Sequence, residues 1–277
     1  MNIEAMSLVE LAPFAAGLIV TGLAAGVLAG LLGVGGGIVI VPVLYHVFTL
    51  LGIDEAVRMH LAVGTSLGTI ILTSVRSVRA HAKKGAVDWP MLRSWALPIL
   101  VGVAVGTVIA VFVSGDALTG VFASIAILVA ANLAFGKESW RLGTKLPGRP
   151  VQYSVASVIG MLSALMGIGG GTFAVIFMTL YGKNPREAVA TSSGLGVLIA
   201  VPAVVGFMIA GWGDPLLPPF SLGYVNLIGM AFIAPLTVLA APWGAAIAHA
   251  ISHKALIRAF ALFLALTSIQ MFWRLLG

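Results

Sequence analysis

The chain has 277 residues, of which 60% are hydrophobic and only 9% charged, with a formal net charge of +6. Ordinary soluble domains carry about 25% charged residues, so this composition excludes one and indicates a polytopic membrane protein. The basic residues lie in short loops between apolar spans, which reads as topology and not as a nucleic-acid face, and the lack of cysteine excludes disulfides, zinc–thiolate sites and cysteine nucleophiles.

Residues 1–10 contain Glu4 and Glu10 but no basic residue, so no secretory signal peptide is expected. Spans of about 17–25 apolar residues cross a hydrocarbon core. Ten segments are predicted, over 12–32, 37–51, 58–80, 91–113, 117–135, 152–167, 171–182, 188–210, 223–249 and 255–276. The first is glycine-spaced (Gly26, Gly30) and runs into Gly33-Val-Gly35-Gly36-Gly37. The sixth repeats this 134 positions later, from Gly160 into Gly167-Ile-Gly169-Gly170-Gly171, with Ala164 where the first copy has Gly30. Each glycine costs about 1 kcal/mol relative to alanine inside a helix, so both runs predict a helix break. A break within apolar sequence must bury its freed N–H and C=O groups in protein or turn them to a water-filled cavity. The segments after the breaks are short, and 171–182 reads as a half-helix. Paired interruptions at matching places in two halves point to a transporter's binding site.

The third segment opens with Ala62-Val-Gly-Thr65-Ser66, and the eighth with Ala188-Val-Ala-Thr191-Ser192. Gly85-x-Val-Asp88 recurs as Gly223-x-Val-Asn226, Gly102-x-x-x-Gly106 as Ala240-x-x-x-Gly244, and Leu118-x-x-x-Phe122-Ala123 as Leu256-x-x-x-Phe260-Ala261. These matches describe one duplicated unit: a first repeat over 1–135, a linker over 136–150 and a second repeat over 151–277. Five segments per half require the second to be inverted. With the N-terminus outside, thirteen Lys and Arg fall at cytoplasmic ends and two, Arg58 and Arg274, at outer ends. That bias places both termini outside and the linker in the cytoplasm. The expected fold is all-α, integral to the membrane, with two inverted five-segment repeats and glycine-broken helix pairs.

Backbone N–H groups at the start of a helix favour an anion. The candidate substrate contacts are therefore Gly33, Gly35, Gly36, Gly37, Gly167, Gly169, Gly170 and Gly171. The hydroxyls of Thr65, Ser66, Thr191 and Ser192 join them because each pair recurs beside a break. The competing readings are packing through small residues and hydroxyls bonded to their own helix. Thr65, Thr69, Thr73 and Arg76 form a polar stripe on one helical face that the second half lacks. Intramembrane ionisable groups are functional candidates by default, which singles out His46, His60 and His249 for proton coupling. Arg58, Arg76, Arg93 and Arg186 read first as interfacial topology signals. Asp88 is expected to pair with the preceding basic run, His81 to Lys84. No nucleophile–base set, metal cluster, dinucleotide context or nucleotide-binding motif stands out, so neither enzyme nor cofactor is expected.

The doubled Gly-x-Gly-Gly-Gly breaks, each followed by Ala-x-x-Thr-Ser, resemble the TauE/SafE sulfite exporter family, also called the toluene-sulfonate uptake permease family. Gly85-x-Val-Asp88 and Leu217-Pro-Pro-Phe-Ser-Leu-Gly-Tyr-Val-Asn226 fit the same pattern. The resemblance implies a plasma-membrane carrier, in bacteria of the inner membrane, for sulfite, sulfonates or sulfoacetate-like anions. Import and export both occur among proposals for the family. Proton-coupled export is the leading expectation here; an uncoupled anion channel, an importer and a membrane-embedded scaffold subunit are the alternatives. The implied partners are a small anion, the lipid bilayer, protons and a second copy in a homo-oligomer.

Overall fold

The computed structural model describes residues 19, 20, 22–27, 37–136, 141–250 and 253–276, with side chains for all but 241, 242, 244–250, 253–256 and 276. Nine helices follow in chain order among the described residues: α1 Gly37–Leu50, α2 Glu55–Lys83, α3 Trp89–Phe112, α4 Gly115–Phe135, α5 Arg149–Met166, α6 Gly171–Leu180, α7 Pro185–Ala210, α8 Leu227–Ala250 and α9 His253–Leu276. Residues 19, 20 and 22–27 are also helical. The protein is therefore all-α, and α2, α3, α4 and α7 are long and apolar enough to cross a membrane.

Several helices begin about three residues earlier than their apolar windows, because the polar caps precede the apolar run. Asp54 Oδ1 accepts from Ala56 N, Asp88 Oδ1 from Met91 N, Ser114 Oγ from Ala117 N and Asn184 Oδ1 from Arg186 N. These bonds satisfy N–H groups that a first helical turn cannot satisfy itself. Prolines near the starts of α3, α5 and α7 cost little there, where no intrahelical donor is lost. One predicted boundary is corrected: residues 223–226 are not helical. Ser221–Leu222 pairs antiparallel with Val225–Asn226, and Gly223 turns the chain at φ 53°. This small hairpin delays the helix until Leu227.

The second break is a true interruption. Gly167 caps the end of α5 at φ 66°, and Gly170 opens α6 at φ 70°, both left-handed. A side chain at such angles costs roughly 1–2 kcal/mol. At 10 residues, α6 extends about 15 Å and cannot span the core alone.

The outer surface is that of a protein solvated by lipid. Leu97 is 72% exposed, Phe112 84% and Leu128 67%, a density of bare apolar side chains that water would not tolerate. Inside, close helix contact rests on small residues. Gly102 and Gly106 of α3 press against the backbone of α5, where a Cβ on Gly106 would lie 2.9 Å from Met161 Cα. Gly22 and Gly26 meet α8 in a similar way: a Cβ on Gly26 would lie 2.8 Å from Ala240 Cβ, and Thr237 Oγ1 donates to Gly22 O at 3.3 Å. With no hydrophobic drive between helices in lipid, such close approach supplies the attraction. Helix α2 lies at the centre, packed against α1, α4, α7 and α8.

Candidate substrate site

The second break, Gly167 to Gly171, is buried throughout. It is walled by Val41 of α1, Val63 and Ile70 of α2, Ile159 of α5 and Gly196 and Ile199 of α7. Gly37, which ends the first break and begins α1, comes up against it: a Cβ there would stand 2.8 Å from Gly167 O and 3.0 Å from Ile168 Cα. The described end of one break thus touches the other. Gly33, Gly35 and Gly36 lie outside the described residues.

The first N–H groups of a helix have no intrahelical acceptor. In α6 the first backbone bond to a preceding carbonyl runs from Ala174 N to Gly170 O at 3.0 Å. The N–H groups of Gly171, Thr172 and Phe173 precede it. No acidic residue occupies the first turn of α6, so the positive end of its dipole is uncompensated there.

The repeated hydroxyl pairs tie the two halves together. Asn226 N donates to Thr65 Oγ1 at 2.9 Å, and Asp88 N donates to Thr191 Oγ1 at 3.0 Å. Each threonine therefore accepts from the backbone of a cap residue in the other half. Ser66 Oγ donates to Gly167 O at 2.7 Å, reaching into the second break, whereas Ser192 Oγ turns back to Val189 O at 2.9 Å. Both threonines and both serines are buried. The two further threonines of the polar stripe are satisfied locally. Thr69 Oγ1 donates to Ser66 O, and Thr73 Oγ1 to the Thr69 and Ile70 carbonyls.

His60 Nε2 lies 2.8 Å from the Ala110 carbonyl, which can only accept, so that nitrogen donates. The same ring lies 5.0 Å from that of Tyr224, and its buried Nδ1 has no partner among the described residues. His46 meets the Tyr45 ring edge-on at 5.7 Å, and its buried Nε2 is likewise unpartnered there. The side chain of His249 lies outside the described residues. Arg58 is buried and committed to the fold: its Nε and Nη2 both donate to Ile53 O, at 3.0 and 2.7 Å.

Asp88 does not pair with the preceding basic run. Its partner is Lys183, whose Nζ also donates to Glu187 Oε1 at 2.7 Å. The run His81 to Lys84 closes α2, while the turn after α6 delivers Lys183 to the cap of α3. Burial alone would raise the Asp88 carboxyl and lower the Lys183 ammonium. The hydrogen bond and charge attraction between them, with the Met91 N–H on Asp88 and Glu187 on Lys183, together outweigh it, and Asp88 ends below the ordinary carboxylate value and Lys183 above the ordinary ammonium value. A cleft of about 350 Å³ opens beside this pair, lined by residues 85–88, Asn184, Arg186 and Glu187.

The sequence model of the family described as Sulfite exporter TauE/SafE matches residues 18–271. The chain belongs to the TauE/SafE sulfite exporter family. A relative from Haemophilus influenzae named "Probable membrane transporter protein" is 32% identical over 92% of this chain and 96% of its own. A Bacillus subtilis relative, "Probable membrane transporter protein YunE", is 29% identical over the same shares of each chain. One from Methanocaldococcus jannaschii, again a probable membrane transporter protein, is 27% identical over 76% of this chain and 77% of its own. No solved structure matches. For this TauE/SafE member, the residues that sequence reasoning overlooked are Ser163 and Thr172 at the second break, and Lys183. Lys183 carried a signal, since Glu187 follows it at the helical i, i+4 spacing. Ser163 and Thr172 carried none, because their repeat counterparts are Ala29 and Ile38.

Proposed function

We propose that this TauE/SafE protein is a secondary carrier that exports a small sulfur-containing anion, such as sulfite or a sulfonate, across the plasma membrane in exchange for protons. Two inverted repeats, residues 1–135 and 151–277, are joined by the cytoplasmic linker 136–150, with both termini outside. The anion lies between the two breaks, near Gly33, Gly35, Gly36, Gly37, Gly167, Gly169, Gly170 and Gly171. It is held by backbone N–H groups and by the neighbourhood of Thr65, Ser66, Thr191 and Ser192.

The observation that carries this reading is the approach of Gly37 to Gly167 and Ile168 at the buried start of α6. Two half-helix ends brought together in apolar surroundings are a means of holding a desolvated anion without a buried cation. The reciprocal bonds from Asn226 to Thr65 and from Asp88 to Thr191 support the two-fold relation between halves. They also supply hinges through which one half can rock on the other. His60, His46 and His249 are the proton-coupling candidates. His60 and His46 each hold a buried ring nitrogen that is unpartnered among the described residues.

The test is flux by the purified protein in liposomes, measured with sulfite, sulfate and a series of sulfonates under imposed pH gradients. Uptake of at least one sulfur oxyanion that rises with the proton gradient is the expected result. Flux indifferent to the gradient would replace the carrier with a channel, and no flux of any of these anions would overturn the reading.

A further inference from the structure

We infer that the side-chain donors to the anion all come from the second break, where the hydroxyls of Ser163 and Thr172 join the N–H groups opening α6, and that this site takes a monovalent oxyanion in preference to a divalent one. The inference rests on the anion-carrier reading and says which of the paired breaks supplies the side-chain donors.

Helix hydroxyls in this protein are ordinarily satisfied by the preceding turn. Thr49, Thr69, Thr119, Thr179 and Ser193 all donate to carbonyls three or four residues back. Ser163 Oγ and Thr172 Oγ1 do not. Both are buried, Ser163 completely and Thr172 at 6% exposure, and neither has a partner among the described residues. A hydroxyl buried without a partner is a cost that a native fold seldom carries idly. Thr107 and Ser268 share that condition elsewhere in the bundle, but Ser163 and Thr172 fall at one place. Ser163 Oγ faces the residue that opens α6, lying 3.3 Å from where a Cβ on Gly170 would be. Thr172 is the second residue of that helix. Two unpartnered hydroxyls, one facing Gly170 and one carried by the second residue of the helix, therefore lie at the end of the break where the N–H groups of Gly171, Thr172 and Phe173 open α6.

The first repeat cannot reproduce this set, since Ala29 and Ile38 stand at the matching positions. The two breaks are thus chemically unequal. The first lends its backbone, through Gly37, as a wall against Gly167.

Apart from the buried Ser74 hydroxyl beside Gly169, the walls of the second break are aliphatic: Val41, Val63, Ile70, Ile159 and Ile199. All the donors are neutral. The cost of desolvating an ion in such surroundings grows with the square of its charge, about fourfold from a monoanion to a dianion of equal size. A cage of neutral dipoles grows in attraction only in proportion to charge. It therefore suits a sulfonate-like monoanion and rejects sulfate-like dianions.

Methanesulfonate and sulfate are the probes, titrated calorimetrically into the purified full-length protein. The variants are Ser163→Ala and Thr172→Val, with Ser268→Ala as a buried, unpartnered hydroxyl away from the break. Removing either site hydroxyl should weaken methanesulfonate binding about tenfold or more, and Ser268→Ala should bind like the parent. Sulfate should bind at least tenfold more weakly than methanesulfonate. If the parent binds methanesulfonate and both site variants match it, the inference fails while the carrier reading stands. Equal affinity for sulfate would overturn the charge preference. A folded parent that neither binds nor transports any sulfur oxyanion would overturn both readings together.

Discussion

Alanine at Gly170 and at Gly167 separates two costs that the second break combines. Both residues are left-handed, at φ 70° and 66°, so each substitution costs roughly 1–2 kcal/mol in backbone strain. Their surroundings differ. A Cβ at Gly170 would lie 2.5 Å from Ile199 Cδ1, the free end of a side chain, with a tight but smaller contact of 3.3 Å to Ser163 Oγ. A Cβ at Gly167 would lie 2.9 Å from Val63 Cα and 3.0 Å from Val63 O, in the middle of α2. Overpacking costs about 1–3 kcal/mol where neighbours must shift. Gly170→Ala should therefore cost about 2–5 kcal/mol, of which Ile199→Val recovers the steric part. The residue in the double variant should be about 1–2 kcal/mol of backbone strain, plus the small cost of the shortened side chain. Truncating Val41, whose Cγ2 would lie 2.8 Å away, relieves only part of Gly167→Ala, because the Val63 backbone stays in the way. Reversible denaturant unfolding in mixed micelles, run as a double-mutant cycle, measures both. A cycle with no coupling between Gly170→Ala and Ile199→Val, or a Gly167→Ala protein as stable as the parent, would refute the argument.

Other outcomes follow from single bonds. Thr191→Val should destabilise by about 1–3 kcal/mol, since it strands the part-buried N–H of Asp88, while Thr191→Ser keeps the acceptor and stays near the parent; the same unfolding assay compares them. Lys183→Met should lose about 1.5–3 kcal/mol at neutral pH, because it leaves Asp88 and Glu187 without their shared donor. The folded Asp88 carboxyl is depressed, so its contribution exists above the ordinary carboxylate value and disappears as pH falls through the folded one; Lys183 is raised, so its share is lost only as pH rises through its folded value. The stability gap between parent and Lys183→Met should accordingly close at acid pH, below about 4, and a gap unchanged there would show that packing and not charge is responsible. Single cysteines replacing Lys145 and Leu216 test topology in a protein with no native thiol. An impermeant reagent applied to intact cells should label position 216 and spare 145.

The sequence alone determined the helices, their order and their approximate ends. A bilayer leaves little choice here, since a 20-residue apolar run must satisfy its own backbone and can do so only as a helix. Glycine runs betray breaks for the same reason, and Gly167 and Gly170 take the left-handed angles that only glycine adopts cheaply. The recurrence of Thr65-Ser66 as Thr191-Ser192 marked residues that lie where the two halves meet. What each hydroxyl does there was decided only by tertiary structure. Thr65 and Thr191 accept from Asn226 and Asp88, residues 161 and 103 positions away, and no local pattern encodes such partners. The hairpin at 221–226 was hidden because Gly223 and its apolar neighbours suit either a span or a turn. Asp88 could be seen as a charge seeking a partner, but nearness in sequence pointed to the wrong lysines. Ser163 and Thr172 were invisible for the opposite reason: a hydroxyl in an apolar helix is ordinary until packing shows that its usual carbonyl is not taken. Sequence periodicity reports what each segment must do for its own backbone, and packing alone decides which polar atoms are left over for a ligand.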